Sequence, residues 1–185
     1  MPRQARISRA DVLEATLAIA EERGLAAVSM RSVAARLGVT PMALYRHVRD
    51  KQDLLDGLVE RLLAELPIPD AGLPWDQRLR AMAASLRATA ARHPEVFPKL
   101  FHRPVMTPAA RRTREVVYDA LRDGGVSEEL IPRVERLLST FVIGFAASEA
   151  GGRFAMHDRR VLDDDIDAGL QAFFAAVERL ATQTA

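Results

Sequence analysis

The chain has 185 residues, 49% of them hydrophobic, a formal net charge of +1 and no cysteine. That excludes general disorder, disulfides, thiolate metal sites and cysteine catalysis. No apolar run approaches the roughly 20 residues that span a bilayer, and the basic N-terminus has no apolar stretch behind it, so a cytoplasmic protein of one domain or two small ones is expected.

Aromatic residues are few, and alanine, leucine and arginine dominate, a mixture that favours helix. Charge is unevenly placed: residues 1 to 49 carry eight arginines and four acids. A basic head on an acidic body suits an anionic partner at one end. The first residues, with Arg3 and Arg6, read as a frayed end or as an arm reaching DNA. Ser8 and Asp11 then have the spacing of a capping box, with Val12, Ala15, Thr16 and Ile19 on one face and Gly24 as a stop. Ser29 caps a second helix, whose apolar face is Val33, Ala34 and Leu37, and Gly38 closes it. Thr40 is expected to cap a third helix, with Pro41 at its first position. Leu44 and Val48 turn inward there, while Tyr45, Arg46 and His47 occupy the rest of the surface. Two short helices joined through a glycine turn have the layout of a helix-turn-helix.

The motifs Gly24-Leu25, Ser29-Met30-Arg31, Leu37-Gly38-Val39, Leu44-Tyr45-x-His47-Val48 and Lys51-x-Asp53-Leu54-Leu55 resemble the N-terminal signature of the tetracycline-repressor (TetR) family of bacterial transcription regulators. The resemblance covers about the first third of the chain; the remainder fits by length and helical content. If the third helix lies in the major groove, its N-terminal residues Thr40, Pro41, Met42 and Ala43 meet base edges. Three of these are apolar, suited to thymine methyls and not to bidentate hydrogen bonds. Arg46 is the candidate for guanine. The resemblance implies phosphate contacts for Ser29, Arg31, Tyr45, His47 and Lys51.

Asp50 opens a fourth helix, with Asp53 as its reciprocal cap. Its double leucine stripe is too wide for the small head alone, so it should join head and body. Residues 67 to 74 hold three prolines and read as a connector, with Ile68 and Leu73 docked. The next helix opens at Trp75 or Asp76 and turns Leu79, Met82 and Leu86 inward and its arginines mostly outward; His93-Pro94 ends it. A proline-broken, aromatic-rich stretch follows, read as a simple buried crossover or as a pocket wall. Thr107-Pro108 starts another helix, which runs to Gly124-Gly125. Arg111, Arg112 and Arg114 near its start read as a solvated face or as a sign of an acidic neighbour. Ser127 should cap the next helix. From Leu137 to Ala150 it is apolar almost all round, as a helix is when buried on every side or buried in a partner. Asp163, Asp164 and Asp165 fit the start of a last helix with an apolar stripe from Ile166 to Leu180.

These readings make an all-α protein. A three-helix, homeodomain-like helix-turn-helix head over residues 1–50 precedes a helical-bundle ligand-binding and dimerisation body over 51–185. There is no enzyme motif, metal-ligand spacing or cofactor signature, so neither activity, metal nor cofactor is expected. The expected partners are a palindromic double-stranded DNA operator, a second copy held through the last two helices, and, by resemblance, a small-molecule effector that releases the DNA. Membrane partners are not expected. Met82, Leu86, Phe97, Phe101, Met106, Phe141 and Phe145 are the candidate apolar lining for that effector. Glu149 is a carboxylate that either pairs with an arginine or meets the ligand. Two alternatives stand beside this reading: an architectural or recruitment protein without an effector, and a helical carrier or enzyme with a vestigial head.

Overall fold

The computed structural model describes residues 7–98 and 107–183. The N-terminal arm and the expected lining residues Phe101 and Met106 fall outside them. All regular structure among the described residues is helical: α1 (Arg9–Arg23), a 3-10 turn (Leu25–Ala27), α2 (Met30–Leu37), α3 (Pro41–Leu44), α4 (Lys51–Ala64), α5 (Trp75–Arg92), α6 (Pro108–Asp123), α7 (Ile131–Ala150) and α8 (Arg159–Gln183).

The head is set by its caps. Ser8 accepts from the Asp11 amide and Asp11 returns the bond to the Ser8 backbone, satisfying two otherwise orphaned groups at the start of α1. Ser29 and Ser32 do the same for α2. Gly38 takes the left-handed conformation (φ 66°, ψ 29°) that turns the chain from α2 toward α3. Val12, Ile19, Val28, Val33, Leu44 and Val48 fill the core between the three helices. That core is completed by Leu54, Leu58 and Leu62 from α4, because so small a trio cannot bury enough surface alone. Farther along α4, Val59 and Leu63, with Leu66 beyond its end, pack with Ala109 of α6. One helix therefore belongs to both cores.

The body is built on α5, α6, α7 and α8, with Leu79, Leu121, Ile131, Leu138, Ile166, Leu170 and Phe174 in one cluster. Trp75 meets Phe174 edge to face at 5.2 Å, fixing the start of α5 on α8. Phe97 is fully buried against Ala90 and Ala146, while its neighbour Val96 belongs to the head core. The chain leaving α5 thus makes a second junction between head and body. His93 adds to it, with Nδ1 at 2.7 Å from Oε1 of Glu21 on α1.

Several expectations change. Ile68 and Leu73 are 46% and 40% exposed and do not dock; Leu66 fills the buried place instead. Arg78 lies inward, almost wholly buried and paired with Asp123 of α6. α7 starts at Ile131, with Pro132 in its first turn, and not at Ser127, whose carbonyl accepts from the Leu130 and Ile131 amides and forms the turn before it. α8 starts at Arg159, where Asp158 accepts from the Arg160 amide, so Asp163 to Asp165 sit a turn inside the helix rather than at its start. Arg111, Arg112 and Arg114 are exposed, and the start of α6 meets Glu60 of α4. Its carboxylate accepts from the Ala109 amide at 3.1 and 3.2 Å, capping the positive end of α6.

Candidate nucleic-acid interface and effector cavity

α3 is only four residues long, followed by a tight turn in which the His47 and Val48 amides both bond the Leu44 carbonyl. Thr40 occupies the cap position but makes no capping hydrogen bond; Pro41 at the helix start, lacking an N–H, reduces the need for one. Leu44 and Val48 face inward. The opposite side carries Thr40, Pro41, Met42, Tyr45 and Arg46, all exposed, with Ala43 and His47 half-buried. Met42 is 73% exposed and Tyr45 52%, large apolar surface with no intramolecular cover. Arg31 on α2 and Lys51 at the start of α4 are also exposed. Ser29 is half-buried, its hydroxyl engaged with Ser32. The fold thus brings all ten sequence-selected head residues to α3 or to the helix starts beside it.

The positioning network behind α3 was not read from sequence. Arg9 of α1 donates from Nη1 to the His47 carbonyl at 2.7 Å and from Nη2 to Asp53 Oδ1 at 2.7 Å. Asp53 in turn accepts from the Arg49 amide at 2.9 Å, one residue before the cap position it was expected to serve. Asp50 caps α4 by accepting from the Asp53 amide. One carboxylate therefore ties α1, the end of α3 and the start of α4 together. Its conspicuous spacing to Leu54 and Leu55 was visible, but its partner lies 44 residues away.

The Arg9 hydrogen bond, with the Arg49 amide behind it, holds the Asp53 carboxyl below the ordinary carboxylate range. A depressed carboxyl contributes stability that is complete above its unfolded pKa and is lost as pH falls through its folded one. Asp53→Ala is expected to cost about 1–2 kcal/mol near neutral pH, because charged hydrogen bonds are lost at a partly exposed site. The gap between variant and parent should close below the ordinary carboxylate range. Urea denaturation across pH checks this, and a gap that stays constant would refute it.

In the body, a cavity of about 300 Å³ lies between α5, α6 and α7, with Leu63 of α4 in its wall. Met82 and Leu86 line it, as the sequence suggested, beside Leu79, Val117, Leu138 and Val142. Its rim is polar, with Thr113 and Arg114 from α6 and Glu135 and Ser139 from α7. The other described candidates sit elsewhere. Phe97 is the buried plug under Ala90 and Ala146. Phe141 packs against Gly169, where an added Cβ would come within 2.2 Å of its ring. Phe145 meets Phe154 at 5.5 Å with the rings tilted at 45°, and Arg87 lies over its face. Glu149 pairs with Arg87, whose Nη2 lies 2.8 Å from Oε1, and Asp163 joins the same guanidinium. Glu149, then Asp163, pushes that guanidinium's pKa above its ordinary value. The pair borders a second, smaller hollow between α5 and α7.

Residues 12–58 match the model of bacterial regulatory proteins of the tetR family, and residues 67–183 match the tetracyclin repressor-like C-terminal domain. The transcriptional repressor DrrR1 of Streptomyces coeruleorubidus is 34% identical over 75% of this chain and 52% of its own length. The chain therefore spans little more than half of the first curated relatives it matches. The class E tetracycline repressor protein of Escherichia coli is 31% identical over 78% of this chain and 70% of its own. Crystal structures of ActR from Streptomyces coelicolor superpose at 25% identity, with TM-score 0.84 in the apo form, covering 98% of this chain and 99% of that one. In complex with actinorhodin the TM-score is 0.82, with coverage of 96% and 99%. The chain belongs to the tetR family of bacterial regulatory proteins.

Proposed function

We propose that this chain is a cytoplasmic transcriptional repressor that binds a near-palindromic operator as a homodimer and releases it when a small molecule enters the body. The head, residues 1–50, binds DNA; the body, residues 51–185, holds effector and partner. The observation that carries this reading is the shared helix α4. Its first turns complete the head core, and its last turns wall the cavity.

The head supports DNA binding because α3 projects an uncovered face, flanked by Arg31, Arg46 and Lys51, beyond a rigidly capped scaffold. Tyr45, His47 and Lys51 are the phosphate-positioning groups and Arg46 the base-reading group. The body supports pairing because Leu137 on α7 is 62% exposed. Phe173 on α8 is half-buried. A second copy would cover both, making a four-helix interface. The cavity favours an effector over a purely architectural role, and actinorhodin-bound ActR is a relative of the same fold with a ligand.

Release follows from how α4 is held. Glu60 caps α6, and Arg112 Nη2 donates to the Ala64 carbonyl at 3.3 Å. A ligand that parts α6 from α5 and α7 pulls α4 with it and turns the head. Val96 and the His93–Glu21 contact transmit the same displacement to α1. The ligand shifts the equilibrium only by as much as it prefers the non-binding arrangement.

The test is binding of the purified chain to the DNA upstream of its own gene. With about 3–5 phosphates neutralised per head, dimer affinity should fall by roughly 10³ or more between about 50 and 200 mM salt. Salt-independent binding, or none at low salt, would end the proposal.

A further inference from the structure

The rim of the α5–α6–α7 cavity carries polar groups that the fold itself does not use. Thr113 Oγ1 is shut off from water and has no hydrogen-bond partner. Glu135, half-buried on α7, forms no ion pair or hydrogen bond among the described residues, and neither does Arg114 on α6. The buried and half-buried arginines of α5 are all paired: Arg78 with Asp123, Arg80 with Asp167, and Arg87 with Glu149 and Asp163. An unpaired, half-buried carboxylate beside an apolar hollow is costly unless something else pairs with it.

The balance of donors and acceptors indicates what that is. Ser139 spends its proton on the Arg136 carbonyl at 3.2 Å, so toward the cavity it offers lone pairs only. Glu135 offers only lone pairs as well. The cations at hand are Arg114, on the same cavity wall, and Arg136, the residue next to Glu135 on α7. Both are exposed, and their long side chains keep their charge in water. Below the rim the wall is aliphatic, formed by Leu79, Met82, Leu138 and Val142.

We propose that the cavity takes a compact, largely apolar molecule that carries a protonated amine. The ammonium group bonds the Glu135 carboxylate and the Ser139 hydroxyl oxygen. The apolar body of the molecule fills the aliphatic floor. This rests on the effector reading for its biological meaning but not for its chemistry. A volume of about 300 Å³ suits a small fused-ring skeleton and lies at the low end of ligand pockets.

Three probes share one ring system and differ only in their polar group: 2-naphthylmethylamine, 2-naphthylmethanol and 2-naphthoate. Calorimetry on the full chain near neutral pH is expected to rank the amine at least about tenfold tighter than the alcohol, as a charge-assisted hydrogen bond does, with the carboxylate weakest. Glu135→Gln should bring the amine to the alcohol's affinity and leave the alcohol unchanged. The variant should fold, because it removes a charge that nothing in the protein pairs; its thermal transition verifies that. Thr113→Val, which deletes an unsatisfied hydroxyl, should melt no lower than the parent. Tighter binding of the carboxylate, an amine affinity indifferent to Glu135→Gln, or no amine binding at millimolar concentration would overturn the proposal.

Operator release is followed with the same probes. Amine binding that depends on Glu135 but releases no DNA upholds the ligand class and defeats the effector reading. Release by the carboxylate and not by the amine does the reverse.

Discussion

Arg46→Ala is expected to lower operator affinity by about 1–3 kcal/mol at each half-site, hence about 2–6 kcal/mol for a dimer that carries the change twice. Arg46 stands exposed on the outer side of the α3 turn, and the residues before it are poor readers of base edges. Pro41, Met42 and Ala43 offer van der Waals contact only, so hydrogen-bonded discrimination within this segment falls on one side chain. The loss should therefore be selective. Binding to random duplex, which depends on phosphates, should fall far less, and preference at one base pair per half-site should relax. Lys51→Ala gives the contrasting pattern: a uniform loss on all sequences, with the salt slope reduced by about 1 per head. Fluorescence anisotropy on operator and random DNA distinguishes the two. Equal losses for Arg46→Ala on both would remove Arg46 from base reading.

Phe97→Ala should cost about 3–5 kcal/mol of folding stability. The ring is fully buried in a cluster with Ala90 and Ala146, whose small side chains cannot expand into the space it leaves, and Leu86 and Ile143 pack on the outside of that cluster. A chain of this size has a stability of about 5–15 kcal/mol, so the loss is a large part of the whole. Val96 next door is in the head core, so the damage should reach the head as well. The variant's urea midpoint and its operator affinity should fall together. A loss below about 1 kcal/mol would show that the site collapses freely and that Phe97 is no plug.

Much of the fold was legible because helix boundaries depend on local chemistry. Ser8, Ser29, Asp50 and Thr107 cap where their spacing says they should, and Gly24 and Gly38 stop helices with positive φ. Boundaries failed where two signals competed. Ser127 invites a cap, but the chain spends that signal on a turn and starts α7 at Ile131. Three aspartates invite a helix start, but Asp158 already provides one before Arg159.

The exposed face of α3 was legible for the same local reason. Leu44 and Val48 must turn in, which leaves Tyr45 and Arg46 out. The cavity was only half legible. Periodicity tells which residues of a helix face inward but not which partner lies against them. Met82 and Leu86 face space, whereas Phe97, Phe141 and Phe145 face Ala146, Gly169 and Phe154. The polar rim at Thr113 and Glu135 comes from two helices brought together only by folding. Nothing local in the sequence sets those residues apart from any other solvated position. The same holds for Arg78, which resembled its exposed neighbours until Asp123 was placed beside it.

In the proposed complex, two copies of α3 enter the major groove at a separation fixed by pairing of the bodies. Methylation protection of guanine N7 on the DNA upstream of the gene tests it most directly, because that atom lies in the major groove. The expected result is two protected patches on one face of the duplex, about 34–36 Å apart or a multiple of that, appearing together as the dimer binds and disappearing together with Arg46→Ala. A single patch, a bound duplex with no guanine N7 protected, or a complex that holds one chain per site at every concentration would contradict it.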